Sequence, residues 1–164
     1  MTRPPVAAFA AGIVAVLGLA GLIRGAVPQA AVSAGGAATD PIVISGAYVR
    51  EPASPDVAAA YFTVYNTTGT ADTLISVESG AGEDAVLHSD GAMTVTSGGL
   101  GIPAHSSVTL SPGKGHVMIE HLLGPLRPGQ FVNLQLSFAN AGPVNVSAPV
   151  IALTAPAPTA GASR

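Results

Sequence analysis

The chain has no cysteine and no tryptophan among its 164 residues. Without a thiol there is no disulfide, no thiolate metal ligand, no cysteine nucleophile and no cysteine-ligated copper centre. Any soft metal must then be held by methionine and histidine. Charge is scarce as well, at 9% of residues with a formal net charge of -3. This leaves neither a basic stripe for nucleic acid nor a strong electrostatic patch for a membrane surface. No G-x-S-x-G elbow is present, and four histidines without a thiolate are a thin supply for a redox copper enzyme, so catalysis is disfavoured. A lipoprotein anchor would require a cysteine after an apolar run, and none exists.

An apolar run does exist. After Arg3, the stretch from Val6 to Ile23 is uncharged and built almost wholly from Ala, Val, Leu, Ile and Gly. A signal-peptide apolar region spans about 7 to 15 residues and a membrane-crossing helix about 18 or more, so the run suits export in either form. It is either removed near Val32-Ser33-Ala34 or kept as an anchor with Arg3 inside. Both place the remainder outside the cytoplasm: secreted, periplasmic, or held at the outer face of the cytoplasmic membrane. Residues 1–34 are read as signal peptide or anchor and 35–40 as linker. The folded domain covers 41–151, and 152–164, rich in Ala, Pro, Thr, Gly and Ser, form a flexible tail.

Within the body, short runs rich in Val, Ile, Thr, Tyr and Phe alternate with turn chemistry such as Glu51-Pro-Ala-Ser-Pro55, Asn66-Thr-Thr-Gly69 and Ser111-Pro-Gly-Lys-Gly115. Helical periodicity is weak throughout. The pattern predicts an all-β sandwich with strands at Ile42 to Val49, Ala58 to Asn66, Thr73 to Glu78, Ala85 to His88, Met93 to Thr96, Ser106 to Leu110, His116 to Leu122, Phe131 to Phe138 and Val144 to Val150. Tyr48, Tyr61, Tyr65, Phe62, Phe131 and Phe138 fall in these strands and are assigned to the core. Asn66-Thr-Thr and Asn145-Val-Ser match a glycosylation acceptor pattern, which short sequences meet often by chance.

All four histidines, His88, His105, His116 and His121, lie in one stretch with both methionines beyond Met1, Met93 and Met118. In His116-Val-Met-Ile119, the strand period of two sends Val117 and Ile119 to one face and His116 with Met118 to the other. His88 and Met93 bracket the turn-forming Ser89-Asp-Gly-Ala92, which brings both to one hairpin tip. Two imidazoles and two thioethers form a soft, neutral donor set that prefers copper(I) to zinc and suits a carrier, because few protons are exchanged on binding. The plainer alternative is that the methionines fill gaps in the core and the histidines serve strand ends and turns. His121, in phase with Val117 and Ile119, would approach an ion only if the strand bends, and His105 is read as a solvated loop residue.

These residues resemble the periplasmic copper chaperones called PCu(A)C over Ala47 to Val150. The likeness is carried by Ala47-Tyr-Val-Arg50, Ala59-Ala-Tyr-Phe-Thr-Val-Tyr-Asn66, Asp72-Thr-Leu74, Val86-Leu-His88, Gly99-Leu-Gly-Ile-Pro-Ala104, Leu110-Ser-Pro-Gly113, Gly115-His-Val-Met118 and Leu134-Gln-Leu136. The resemblance implies a cupredoxin-like, Ig-like Greek-key β-sandwich that is not an enzyme and binds one copper(I) through His88, Met93, His116 and Met118. It further implies delivery to the binuclear copper site of cytochrome c oxidase, with that enzyme's copper subunit and a Sco-type copper protein as partners. Only four residues separate His88 from Met93, a shorter hairpin than the family usually carries. His105 stands where the family commonly has glycine. The competing class is a secreted Ig-like adhesion or interaction module that ignores metal.

Overall fold

The computed structural model describes residues 40–89 and 95–158. The apolar run Val6 to Ile23 and Met93 lie outside the described residues. Among the described residues no helix is long and apolar enough to cross a membrane.

Nine strands follow in order: β1 (Ile42–Arg50), β2 (Val57–Asn66), β3 (Asp72–Ser79), β4 (Gly82–His88), β5 (Leu100–Ile102), β6 (Ser107–Leu110), β7 (His116–Leu122), β8 (Phe131–Phe138) and β9 (Gly142–Ile151). They form one curled sheet in the order β4-β7-β2-β1-β9-β8-β3-β5, with β6 also pairing β2. The first half of β2 pairs with β7 and the second half with β6, both antiparallel. The two layers of the sandwich join where β1 runs parallel to β9 at Val49↔Val150 and Arg50↔Ile151. The expected all-β sandwich is therefore the observed fold.

Alternation does the sorting. On β2, Ala58, Ala60, Phe62 and Val64 are buried, and on β8, Val132, Leu134, Leu136 and Phe138 meet them across the core with Leu74, Ile102, Ile119 and Val150. β1 changes parity midway. Ile42 and Ile44 pack on the core, then the ladder slips between Ser45 and Tyr48 at Gly46, whose φ is 59°, and afterwards Ala47 and Val49 face inward. This β-bulge turns Tyr48 to the opposite face, where it is buried outside the core cluster.

Several sequence expectations differ from this arrangement. The strand expected at Met93 to Thr96 is reduced, among described residues, to one bridge, His88↔Val95, with Thr96 N donating to Leu87 O at 3.0 Å. The following short strand is β5, preceded by Gly98 and Gly99 and paired with Asp72 to Leu74 of β3. Phe131 is 68% exposed and Tyr65 is exposed too, because both occupy outward positions of their strands. Asn66 is fully buried with its amide donating to Thr70 O and Ile102 O, so its side chain is not open to glycosylation.

Candidate metal centre

β4 ends at His88 and β7 begins at His116, and the antiparallel register sets these two residues directly opposite one another. A turn at Ser111 to Gly115 delivers β7 to this point, with Lys114 N and Gly115 N both donating to Ser111 O and Gly113 at φ 81°. Gly115 is needed for the approach: a Cβ there would lie 2.8 Å from His88 O, 2.9 Å from Leu110 Cδ2 and 3.1 Å from the Ser89 carbonyl carbon. Val117 and Ile119 are fully buried in the core, so His116 and Met118 point the other way, each half-buried. Met118 occupies a rung between Val86 of β4 and Ala59 of β2. Three of the four residues singled out from sequence thus share one sheet face. Met93 falls outside the described residues.

The two imidazoles are stacked, with centroids 5.0 Å apart and planes 20° from parallel. His88 is 5% exposed, and neither Nδ1 nor Nε2 has a hydrogen-bond partner among the described residues. A buried polar group without a partner costs about 1–3 kcal/mol, so an imidazole in this state calls for a ligand. The pKa of His116 is lowered, first by burial and then by the neighbouring His88, which keeps the ring neutral and able to donate a lone pair. Two imidazoles and a thioether on an apolar background suit a soft cation, and no group of three or more His, Cys, Asp or Glu suited to a hard or borderline metal occurs among the described residues.

The row does not end at His116. Tyr61 of β2 lies 6.2 Å from it, centroid to centroid, and Tyr48 of β1 stacks on Tyr61 at 5.1 Å and 27°. The Arg50 guanidinium sits 5.4 Å from the Tyr48 ring centre. Burial raises the pKa of both phenols, with Arg50 opposing, so both are neutral at physiological pH. Assigning the two tyrosines to the core from their strand pattern missed this. The signal that would have found it is the Gly46 bulge, which switches the face of Tyr48.

His121 and His105 do not join the pair. His121 is exposed and in the left-handed region at φ 51°, so its side chain leaves the core phase of Val117 and Ile119 and meets Asp84, Nδ1 to Oδ2 3.2 Å. His105, exposed at φ 49°, donates its backbone N–H to Thr68 O, and its left-handed backbone accounts for glycine at the corresponding place in the family it resembles.

The family model described as "Putative lipoprotein LpqE-like" matches residues 42–150, and the chain belongs to this LpqE-like family. The curated "Putative lipoprotein Lxx21020" of Leifsonia xyli subsp. xyli is 31% identical over 121 residues, covering 70% of this chain and 72% of that protein. Among solved structures, the copper-bound PCuAC domain from PmoF2 matches with a TM-score of 0.61 at 28% identity, covering 68% of this chain and 93% of that one. Copper(I)-bound DR1885 from Deinococcus radiodurans matches with a TM-score of 0.56 at 30% identity, covering 71% and 83%. The resemblance to PCu(A)C proteins read from the sequence is thus met in the fold.

Proposed function

We propose that this chain is an extracytoplasmic copper(I) carrier. It holds one ion through His88, His116 and Met118, with Met93 as the fourth ligand, and yields it to another protein. The observation that carries the reading is the stacked His88/His116 pair, in which a buried imidazole has both ring nitrogens unpartnered. Copper in the matched PmoF2 domain and in DR1885 supports the choice of metal, and the lipoprotein names of the family and the Leifsonia relative support a location outside the cytoplasm. The neutral donor set serves handover, since an incoming ligand displaces His or Met without removing a proton from the site. The recipient in this reading is the copper subunit of cytochrome c oxidase, with a Sco-type protein beside it, and the carrier itself turns nothing over.

The test is an anaerobic copper(I) titration of the full-length chain against a chromophoric chelator, with His88→Ala, Met93→Ala, His116→Ala and Met118→Ala alongside. One tight site in the wild type, weakened in each variant, is the expected result. No competition by the wild type would leave the metal-free interaction module as the better account. An unaffected Met93→Ala would reduce the site to three ligands.

A further inference from the structure

We infer that Tyr61 is a positioning residue for copper ligation: its ring, backed by Tyr48 and Arg50, sets the plane of the His116 imidazole. The inference rests on the carrier reading above.

Ala59↔Met118 and Ala60↔Val117 pair β2 with β7, and the next step along both strands puts Tyr61 beside His116. Tyr61 is in turn paired with Tyr48 across β2 and β1. Four rings, His88, His116, Tyr61 and Tyr48, therefore cross four adjacent strands in one row, at successive centroid distances of 5.0, 6.2 and 5.1 Å. The far end is pinned. Arg50 lies over Tyr48 while its Nη1 donates to Ala152 O at 3.1 Å, to Leu153 O at 3.2 Å and to Ala155 O. The row also depends on the Gly46 bulge, because an unbroken β1 would turn Tyr48 into the core and leave Tyr61 without a stacking partner.

A metal-ligating histidine is ordinarily oriented by a hydrogen bond from its second nitrogen to a carboxylate or carbonyl. Among the described residues neither ring nitrogen of His88 has such a partner. Ring contacts are the orienting contacts that remain: His116 is stacked on His88 at 20° on one side and meets the Tyr61 ring at a tilt of 46° on the other. The role belongs to the aromatic face, since neither phenol hydroxyl bonds to a histidine.

The test compares Tyr61→Phe with Tyr61→Leu in the full-length chain. Leucine fills space without a ring, so a filler role would tolerate both. Positioning predicts copper(I) affinity within about threefold of wild type for Tyr61→Phe and a loss of about tenfold or more for Tyr61→Leu, the scale of outer-shell substitutions. In the metal-free protein the His116 Cε1–H resonance should shift in Tyr61→Leu and stay near its wild-type position in Tyr61→Phe. Equal affinities for the Leu and Phe variants overturn the inference and leave the carrier reading intact. A wild type that binds no copper removes the carrier reading itself. If Tyr61→Leu is unfolded, Tyr48→Leu takes its place, with the same ring-specific loss expected and a Tyr48→Phe control.

Discussion

Gly115→Ala is the most informative perturbation of the histidine pair, because it alters no ligand. The added methyl would sit 2.8 Å from His88 O, whereas ordinary contact begins at 3.4 Å, so the strand ends must part by about 0.6 Å. The Leu110 methyl at 2.9 Å can rotate aside, but the His88 carbonyl and the Ser89 carbonyl carbon are backbone and can move only with β4. Overpacking of this kind costs about 1–3 kcal/mol of stability. Ligand sets tolerate displacements of only about 0.5 Å before affinity suffers, so opening His88 from His116 should weaken copper(I) by about 10- to 100-fold. Chelator competition measures the affinity, and thermal melting of the metal-free protein measures the stability. A Gly115→Ala protein that melts lower yet binds copper within threefold of wild type would refute the claim that this pair is the preformed half of the site.

Three other outcomes follow from the geometry. Asp72 is buried and accepts backbone N–H bonds from Thr73, Asn140 and Ala141 at 2.7, 2.9 and 2.9 Å. Burial pushes its pKa up, but these bonds outweigh burial and hold it below 3.8, so its contribution to stability is present above that pH and disappears as pH falls below it. Asp72→Asn, which turns an NH2 toward a backbone donor, should lose about 1–3 kcal/mol in a denaturant titration at neutral pH and flatten the acid limb. His116 has its pKa lowered below 6.5, so the unfolded chain takes up a proton first on acidification. Its contribution makes the metal-free fold less stable as pH falls below 6.5, while copper(I) binding should persist to lower pH than at an unperturbed imidazole, which competition titrations from pH about 8 to about 5 would reveal. The His121–Asp84 pair is exposed on both sides and worth about 0–1 kcal/mol, so His121→Gly, which also relieves the left-handed backbone, should leave copper affinity unchanged.

What could be read from the sequence was local. Period-two alternation placed His116 with Met118 opposite the buried Val117 and Ile119, but on the second strand Tyr61 and Tyr65 were assigned to the core together with Phe62, which faces the other way. The turn residues between Ser111 and Gly115 located the start of β7. Pairings between distant strands were not legible, since register is a property of two segments and the sequence states each one singly. For that reason His88 opposite His116, and Tyr61 beside it, emerged only in the fold. Departures from ideal alternation hid the rest. The Gly46 bulge reverses Tyr48, and a positive φ at His121 swings it out of phase. β5, three residues with Gly101 at the centre and Pro103 after them, is held by β3 and has little strand character of its own. Phe131 shows the limit of composition, being a large apolar side chain left in solvent by its parity on β8.

The most direct measurement is X-ray absorption at the copper edge on the full-length chain loaded with one copper(I) under anaerobic conditions. The account predicts a mixed shell of imidazole nitrogen and thioether sulfur, with the nitrogen component lost in a His88→Ala, His116→Ala double variant and the sulfur component reduced in Met118→Ala. A shell without sulfur, or one unchanged by removal of both histidines, would contradict the assignment of this face of β4 and β7 as the metal centre.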